Sequence, residues 1–401
     1  MPVPLTKADR KIRAGLRKLL KAPDADTVAA GCTQLKTLAA NPAQRPLIEE
    51  LAAGTCVDAA GRIIVGAELK RRTRAAHRLV VALTAMRALG HLDAVSALDF
   101  SRDDAPMGLQ ALWGLTTLKS LNLSHCADLT TVDDLSGLTG LESLNLSFCT
   151  ALTAIAGLST LKTLSALDLK RCTALTSVRG LTGLTGLKTL DLSHCKALTC
   201  LEGLAGLSGL ESLDLSYCSP TSVDGLSGLT SLKTLDLQAC TALTTVNGLA
   251  DARQMETLKL NYCRALTNVD GLADMPHLKT LRLIDSKNLR NLNGLSRAVG
   301  LEVLTIQWNR YITDVDALAS AITLRSLTLN ACSALRNVDG LAGLKKLEKL
   351  DLSVCTALEN VDRLAELPSL ETLDLRSTPI VPARKYASRA EVAMFQVRLT
   401  A

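Results

Sequence analysis

The stretch Leu190–Cys200 reads L-D-L-S-H-C-K-A-L-T-C. A histidine stands beside one cysteine, and a second cysteine follows five residues later. Alone, such a cluster suggests a metal site or a reactive thiol, so its surroundings decide what it is. Counting outward from Cys195, cysteines recur at Cys126, Cys149, Cys172, Cys218, Cys240, Cys263, Cys332 and Cys355. The spacing is 23 four times running from Cys126 to Cys218, then 22 to Cys240 and 23 to Cys263. Further steps of 23 land on Ser286, Asn309, Cys332, Cys355 and Thr378, and one step back from Cys126 lands on Asp103. A fixed period of about 20–50 residues marks a chain built of stacked repeats.

Folding the sequence on that period returns one unit. Around Cys195, leucines sit at 187, 190, 192, 198, 201, 204 and 207. Leu190-Asp191-Leu192 alternates inward, outward, inward, which predicts a short strand with one buried face. Leu201, Leu204 and Leu207 recur every three residues, the spacing of a 3₁₀-like turn punctuated by Gly203. Such a layer cannot bury its leucines alone, so only stacking closes the core. This also accounts for a composition that is 47% apolar yet only 2% aromatic.

Leu187-x-x-Leu190-x-Leu192-x-x-Cys195 resembles the L-x-x-L-x-L-x-x-N/C core of the leucine-rich repeat. The resemblance spans about residues 92–378 with 13 strand positions. The short period and the L-x-x-V-x-G-L-x-x-L return resemble the compact class found in internalins and in a phosphatase regulatory subunit. The resemblance implies an α/β, right-handed solenoid with a curved parallel sheet and a loose 3₁₀ or extended convex side, binding partner proteins on its concave face. It also implies that the ladder residue faces inward after the strand, beside backbone carbonyls that need partners. Cys, Ser, Asn and Thr can each supply one, and Asp103 is the exception at the first strand.

A thiol repeated nine times is architecture, and no catalytic residue or cofactor is expected. A metal site is excluded by distance. His125–Cys126 and His194–Cys195 are three layers apart, roughly 14 Å at one strand spacing per layer, whereas zinc ligands sit about 2.0–2.3 Å from the ion. Nine stacked thiols also suit a reducing, cytoplasmic compartment better than an oxidising one. Cys200 breaks the pattern and is expected to be exposed.

The ends differ from the array. Residues 1–95 hold 16 Lys/Arg against 8 Asp/Glu, while the remainder holds 29 against 31. Residues 1–90 are expected to form an α-helical basic cap, with helices after Thr6, from Asp26 to about Ala40, near Pro46, and from Glu68 to Leu89. The solenoid is expected over 91–378, and a C-terminal cap over 379–401 through Val392, Met394, Phe395 and Val397. No apolar run is long enough to span a membrane, and the first 25 residues lack the apolar segment of a secretory signal.

The residue before each ladder position gathers rings. His125, Phe148, His194, Tyr217, Tyr262 and Trp308 all stand there, with Asp285 between the last two. Between the inward leucines runs an acidic or amide row, Asp99, Asn122, Asn145, Asp168, Asp191, Asp214 and Asp236. It breaks to Lys259, Arg282, Thr305 and Thr328 and returns at Asp351 and Asp374. Near-identical repeats diverge just where Asn261, Gln307 and Arg310 lie beside Tyr262 and Trp308. The expected function is therefore a non-enzymatic scaffold, monomeric, with a protein partner on the concave face. Two alternatives stand beside it: an effector exported into a host cytosol using the same surface, and nucleic-acid or anionic-surface binding through the basic N-terminal helix. Nucleic acid is the less favoured partner.

Overall fold

The computed structural model describes residues 95–101, 109–112 and 114–400, together with Gln34, Thr37, Leu38 and two short strands at 55–57 and 63–65. The chain forms two compact units, Met1–Ala174 and Leu175–Ala401.

In the first unit, Gln34, Thr37 and Leu38 are helical, within the helix expected over Asp26–Ala40. The segment expected to be all helix departs from that reading further on. Thr55–Val57 (β1) pairs antiparallel with Ile63–Val65 (β2), and both are rich in the β-branched residues that favour strands. The Glu68–Leu89 helix, Arg102 and Asp103 lie outside the described residues. Four parallel strands follow: Ala97–Asp99 (β3), Ser120–Asn122 (β4), Ser143–Asn145 (β5) and Ala166–Asp168 (β6). They pair in register, leucine against leucine, from Leu98 through Leu121 and Leu144 to Leu167.

The second unit repeats the pattern nine times. Its parallel strands are Thr189–Asp191 (β7), Ser212–Asp214 (β8), Thr234–Asp236 (β9), Thr257–Lys259 (β10), Thr280–Ile284 (β11), Val303–Gln307 (β12), Ser326–Thr328 (β13), Lys349–Asp351 (β14) and Thr372–Asp374 (β15). A last strand, Lys385–Tyr386 (β16), turns antiparallel against β15, and helix Arg389–Thr400 (α1) follows. Val392 and Phe395 point inward and are buried, with Phe395 4.9 Å from the Tyr386 ring. Met394 and Val397, expected to join them, are exposed. They lie on other faces of the helix, because positions three apart share a face and neighbours do not. Gln396 Nε2 donates to the carbonyls of Leu364 and Leu367, at 2.7 and 3.0 Å, fastening the helix to the final turn.

Each layer returns through a short 3₁₀ turn, as in Asp224–Leu226 and Asp270–Leu272. The layer that decided the fold departs from this. Between β7 and β8 the described residues form single turns instead, with Gly203 at φ +104°. Glycine alone adopts that conformation freely. The core is leucine throughout: Leu187, Leu190, Leu192, Leu198, Leu201, Leu204 and Leu207 are all buried. Each such side chain contributes about 1.5–3 kcal/mol when fully removed from water.

Candidate functional site

The turn after each strand fixes both the ladder and the surface beside it. Its first element is the Asp/Asn row, which the sequence presents as a charged surface. These side chains instead accept hydrogen bonds from the backbone two residues on. Ser193 N–H donates to Asp191 Oδ1 at 2.7 Å, Ser216 N–H to Asp214 at 2.8 Å and Ser147 N–H to Asn145 at 2.8 Å. This is an Asx turn, which caps the end of the strand. Where Arg282 and Thr305 replace the acid, β11 and β12 run two residues longer, whereas β10 and β13, with Lys259 and Thr328 there, keep three residues. Burial raises the pKa of Asp214. The Ser216 hydrogen bonds oppose the rise, and the neighbouring Asp191 and Asp236 carboxylates add to it.

The residue before each ladder position is left-handed. His125, Phe148, Arg171, His194, Tyr217, Ala239, Tyr262, Asp285, Trp308, Ala331, Val354 and Ser377 all have φ between 56° and 63°. Non-glycine residues seldom adopt this region. Here the layers support it, because the N–H of ten of these residues, from His125 to Val354, is aimed at a carbonyl of the next layer. Tyr217 N donates to Gln238 O at 2.8 Å and Tyr262 N to Ile284 O at 2.6 Å. The residue types signalled this only weakly, since His125, His194 and Asp285 favour the left-handed region but Phe, Tyr, Trp, Arg and Val do not.

The ladder residue then points inward and back by one layer. The thiols of Cys149, Cys172, Cys218, Cys240, Cys263 and Cys355 donate to the carbonyl of a leucine in the previous repeat at 3.1–3.2 Å. Cys126 does so to Phe100 at 3.5 Å, and Cys332 reaches Ile306 at only 3.9 Å. Ser286 Oγ takes the same role toward Leu260 O at 3.1 Å. Asn309 works differently. Its amide donates to Ser286 O and Leu289 O, while its Oδ1 accepts from Tyr311 N and Ile312 N. All nine ladder cysteines, Cys195 included, are buried, whereas Cys200 is exposed. Burial drives the thiol pKa up, to about 12 at Cys263 and Cys355, and up as well at Cys218, Cys240 and Cys332. They remain neutral donors rather than nucleophiles.

On the exposed side of the turns the rings assemble. His125 stacks on Phe148 with centroids 4.3 Å apart, and Arg171 lies 5.4 Å from the centre of the Phe148 ring. In the second unit His194 stacks on Tyr217, also at 4.3 Å, and Gln238 Nε2 donates to the Tyr217 hydroxyl. Further along, Tyr262 and Trp308 remain 37% and 48% exposed and flank an open cavity of about 460 Å³. Its lining also includes Arg264, Asp285, Lys287 and Arg310. Of these, Arg264 and Lys287 were not among the residues singled out in the sequence. The signal was present: at the position just after the ladder residue, only the layers of Arg264, Lys287 and Arg310 carry three cations in succession.

Two expected contact residues have other duties. Asn261 is buried, and its Oδ1 accepts from Ile284 N–H at 3.2 Å. Asp285 is 5% exposed and receives Arg264 and Lys287 at 2.8 and 3.2 Å. Lys259 pairs with Asp236 at 2.9 Å, Gln307 is half-buried, and Arg282 and Arg310 are exposed.

Residues 116–160 match the family model for leucine-rich repeats in two copies. No curated protein matches the sequence. Among solved structures, the chain is similar to an internalin (inlF) of Listeria monocytogenes at 22% identity and TM-score 0.49, over 71% of this chain and 88% of that one. It is similar to a leucine-rich-repeat protein of Leptospira interrogans at 20% identity and TM-score 0.46, over 74% and 88%. It is also similar to the functional domain of InlJ from Listeria monocytogenes, which includes a cysteine ladder, at 22% identity and TM-score 0.48, over 72% and 64%. With the matched unit recurring at every parallel strand of both compact units, the chain carries leucine-rich repeats and folds as a leucine-rich-repeat solenoid.

Proposed function

We propose that this chain is a non-enzymatic interaction module that binds a partner protein on the exposed, concave face of its sheet. The main contact is centred on Lys259, Tyr262, Arg282 and Trp308. The observation that carries this reading is the exposed pair Tyr262 and Trp308 above an open cavity rimmed by cations. Trp, Tyr and Arg are enriched among the few residues that dominate binding at protein interfaces. The repeat template would fold without them, since Ala239, Ala331 and Ser377 occupy the same turn position. The ladder thiols are spent on backbone carbonyls, which supports a structural role for them.

The test is affinity capture from native lysate with the wild-type chain and the Tyr262→Ala/Trp308→Ala double variant. We expect the specific partner to be lost or weakened at least roughly tenfold. Retention of every captured partner at wild-type affinity sinks the proposal.

A further inference from the structure

Tyr262 and Trp308 occupy the same repeat position two layers apart, with Asp285 in the layer between. At one strand spacing per layer their backbones lie roughly 9.6 Å apart. Where rings occupy successive layers in this protein they stack at 4.3 Å, His194 on Tyr217 with an interplanar angle of 4°. Asp285 is short and buried under its ion pairs with Arg264 and Lys287, so the middle layer offers no ring, and it lines an open cavity together with Tyr262 and Trp308. The slot is about two stacking distances wide. That is the room one flat ring needs to lie between two others.

Charge decides what can carry that ring. Arg264, Lys287 and Arg310 line the slot against the single carboxylate of Asp285. Among the described residues Arg310 and the nearby Arg282 form no ion pair, so their charge is available to a ligand. The positive region is short. On the same strand position Asp236 stands one layer before the slot, and Asp351 two layers after it. A polyphosphate chain running along the sheet would meet carboxylates on both sides, whereas one or two carboxylates beside an inserted ring would not.

We infer that the slot receives an aromatic side chain from an acidic segment of the partner protein, the ring entering between Tyr262 and Trp308 and its flanking carboxylates pairing with Arg310 and the nearby Arg282. This rests on the recognition face proposed above and names its occupant.

A capped, fluorophore-labelled heptapeptide with one central Tyr among Glu and Asp residues, titrated onto the full chain, tests it by anisotropy. Saturable binding is expected. It should weaken at least roughly tenfold with Trp308→Ala, and equally when Leu replaces the peptide's Tyr. The decisive variant is Asp285→Tyr. Tyr217 and Tyr262 already occupy this left-handed position, so the replacement suits the backbone. It fills the slot while removing a negative charge. Slot insertion therefore predicts a loss of binding, and plain charge attraction predicts a gain. If Asp285→Tyr melts early, Trp308→Ala carries the comparison. Unchanged or tighter binding to these variants overturns the inference. So does equal binding of the Leu peptide, no binding at millimolar peptide, or tighter binding of a heptathymidylate. If the peptide fails while partner capture still depends on Tyr262 and Trp308, the occupant is wrong and the recognition face stands.

Discussion

At the scale of single residues, the Asp/Asn row is the clearest case of one side chain serving structure where charge suggested recognition. Asn122 and Asn145 perform the same backbone capping as Asp191 and Asp214, at 3.0 and 2.8 Å. The negative charge is thus dispensable to the turn. At Asp214 burial and two neighbouring carboxylates raise the pKa, against the Ser216 hydrogen bonds. A carboxyl raised in the fold binds its proton more readily there than in the unfolded chain. Its ionised form therefore costs stability as pH climbs from the unfolded value, near 4, through the folded one. Asp214→Asn should raise the melting temperature at pH 7 by roughly 1–2 °C, with the gain fading toward pH 3. A melting curve at neutral pH that is unchanged or lower would show that the charge assists the turn.

At the scale of the element, the layer is a strand, a left-handed turn, a thiol and a 3₁₀ return. Much of this was legible. The 23-residue cysteine spacing gave the layer, L-D-L gave the strand, and leucines three apart gave the return. The handedness of the turn was mostly hidden because it is supported from outside the repeat, by the carbonyls of the next layer that capture the N–H groups of Tyr217 and Tyr262. The proposed recognition patch was half legible for a related reason. Rings at one position can be counted in a sequence, but the burial of Asn261 and Asp285 depends on what the adjoining layers place above them. The glycines of the return also gain a meaning that only stacking provides. A Cβ at Gly271 would collide with the Val246 carbonyl of the preceding layer. Gly271→Ala should destabilise the second unit by about 1–3 kcal/mol, the usual cost of overpacking. Chemical denaturation with an unchanged midpoint would mean that the layers can part to admit a methyl group.

At the scale of the whole molecule, contacts within the repeats are nearest-neighbour, so damage should stay local. The C-terminal end offers the test, because α1 covers the last layer with Val392 and Phe395. Phe395→Ala should cost about 3–5 kcal/mol where it acts. Hydrogen exchange should accelerate at β14 and β15 while β7–β9 keep their protection. Uniform acceleration across all these strands would show a single cooperative body instead.

The left-handed turn positions separate two tasks that most protein surfaces must solve together. Phenylalanine, arginine, tyrosine, alanine, valine and serine all sit there on the same backbone. Layers that differ there keep the same strand register and the same inward place for the ladder residue behind the turn. The chain is in this sense an array of interchangeable sockets. On the proposed recognition face, drift at the sockets would redirect binding without asking the core to be re-solved, and a display library varied only at those positions would sample new surfaces from a scaffold that stays folded.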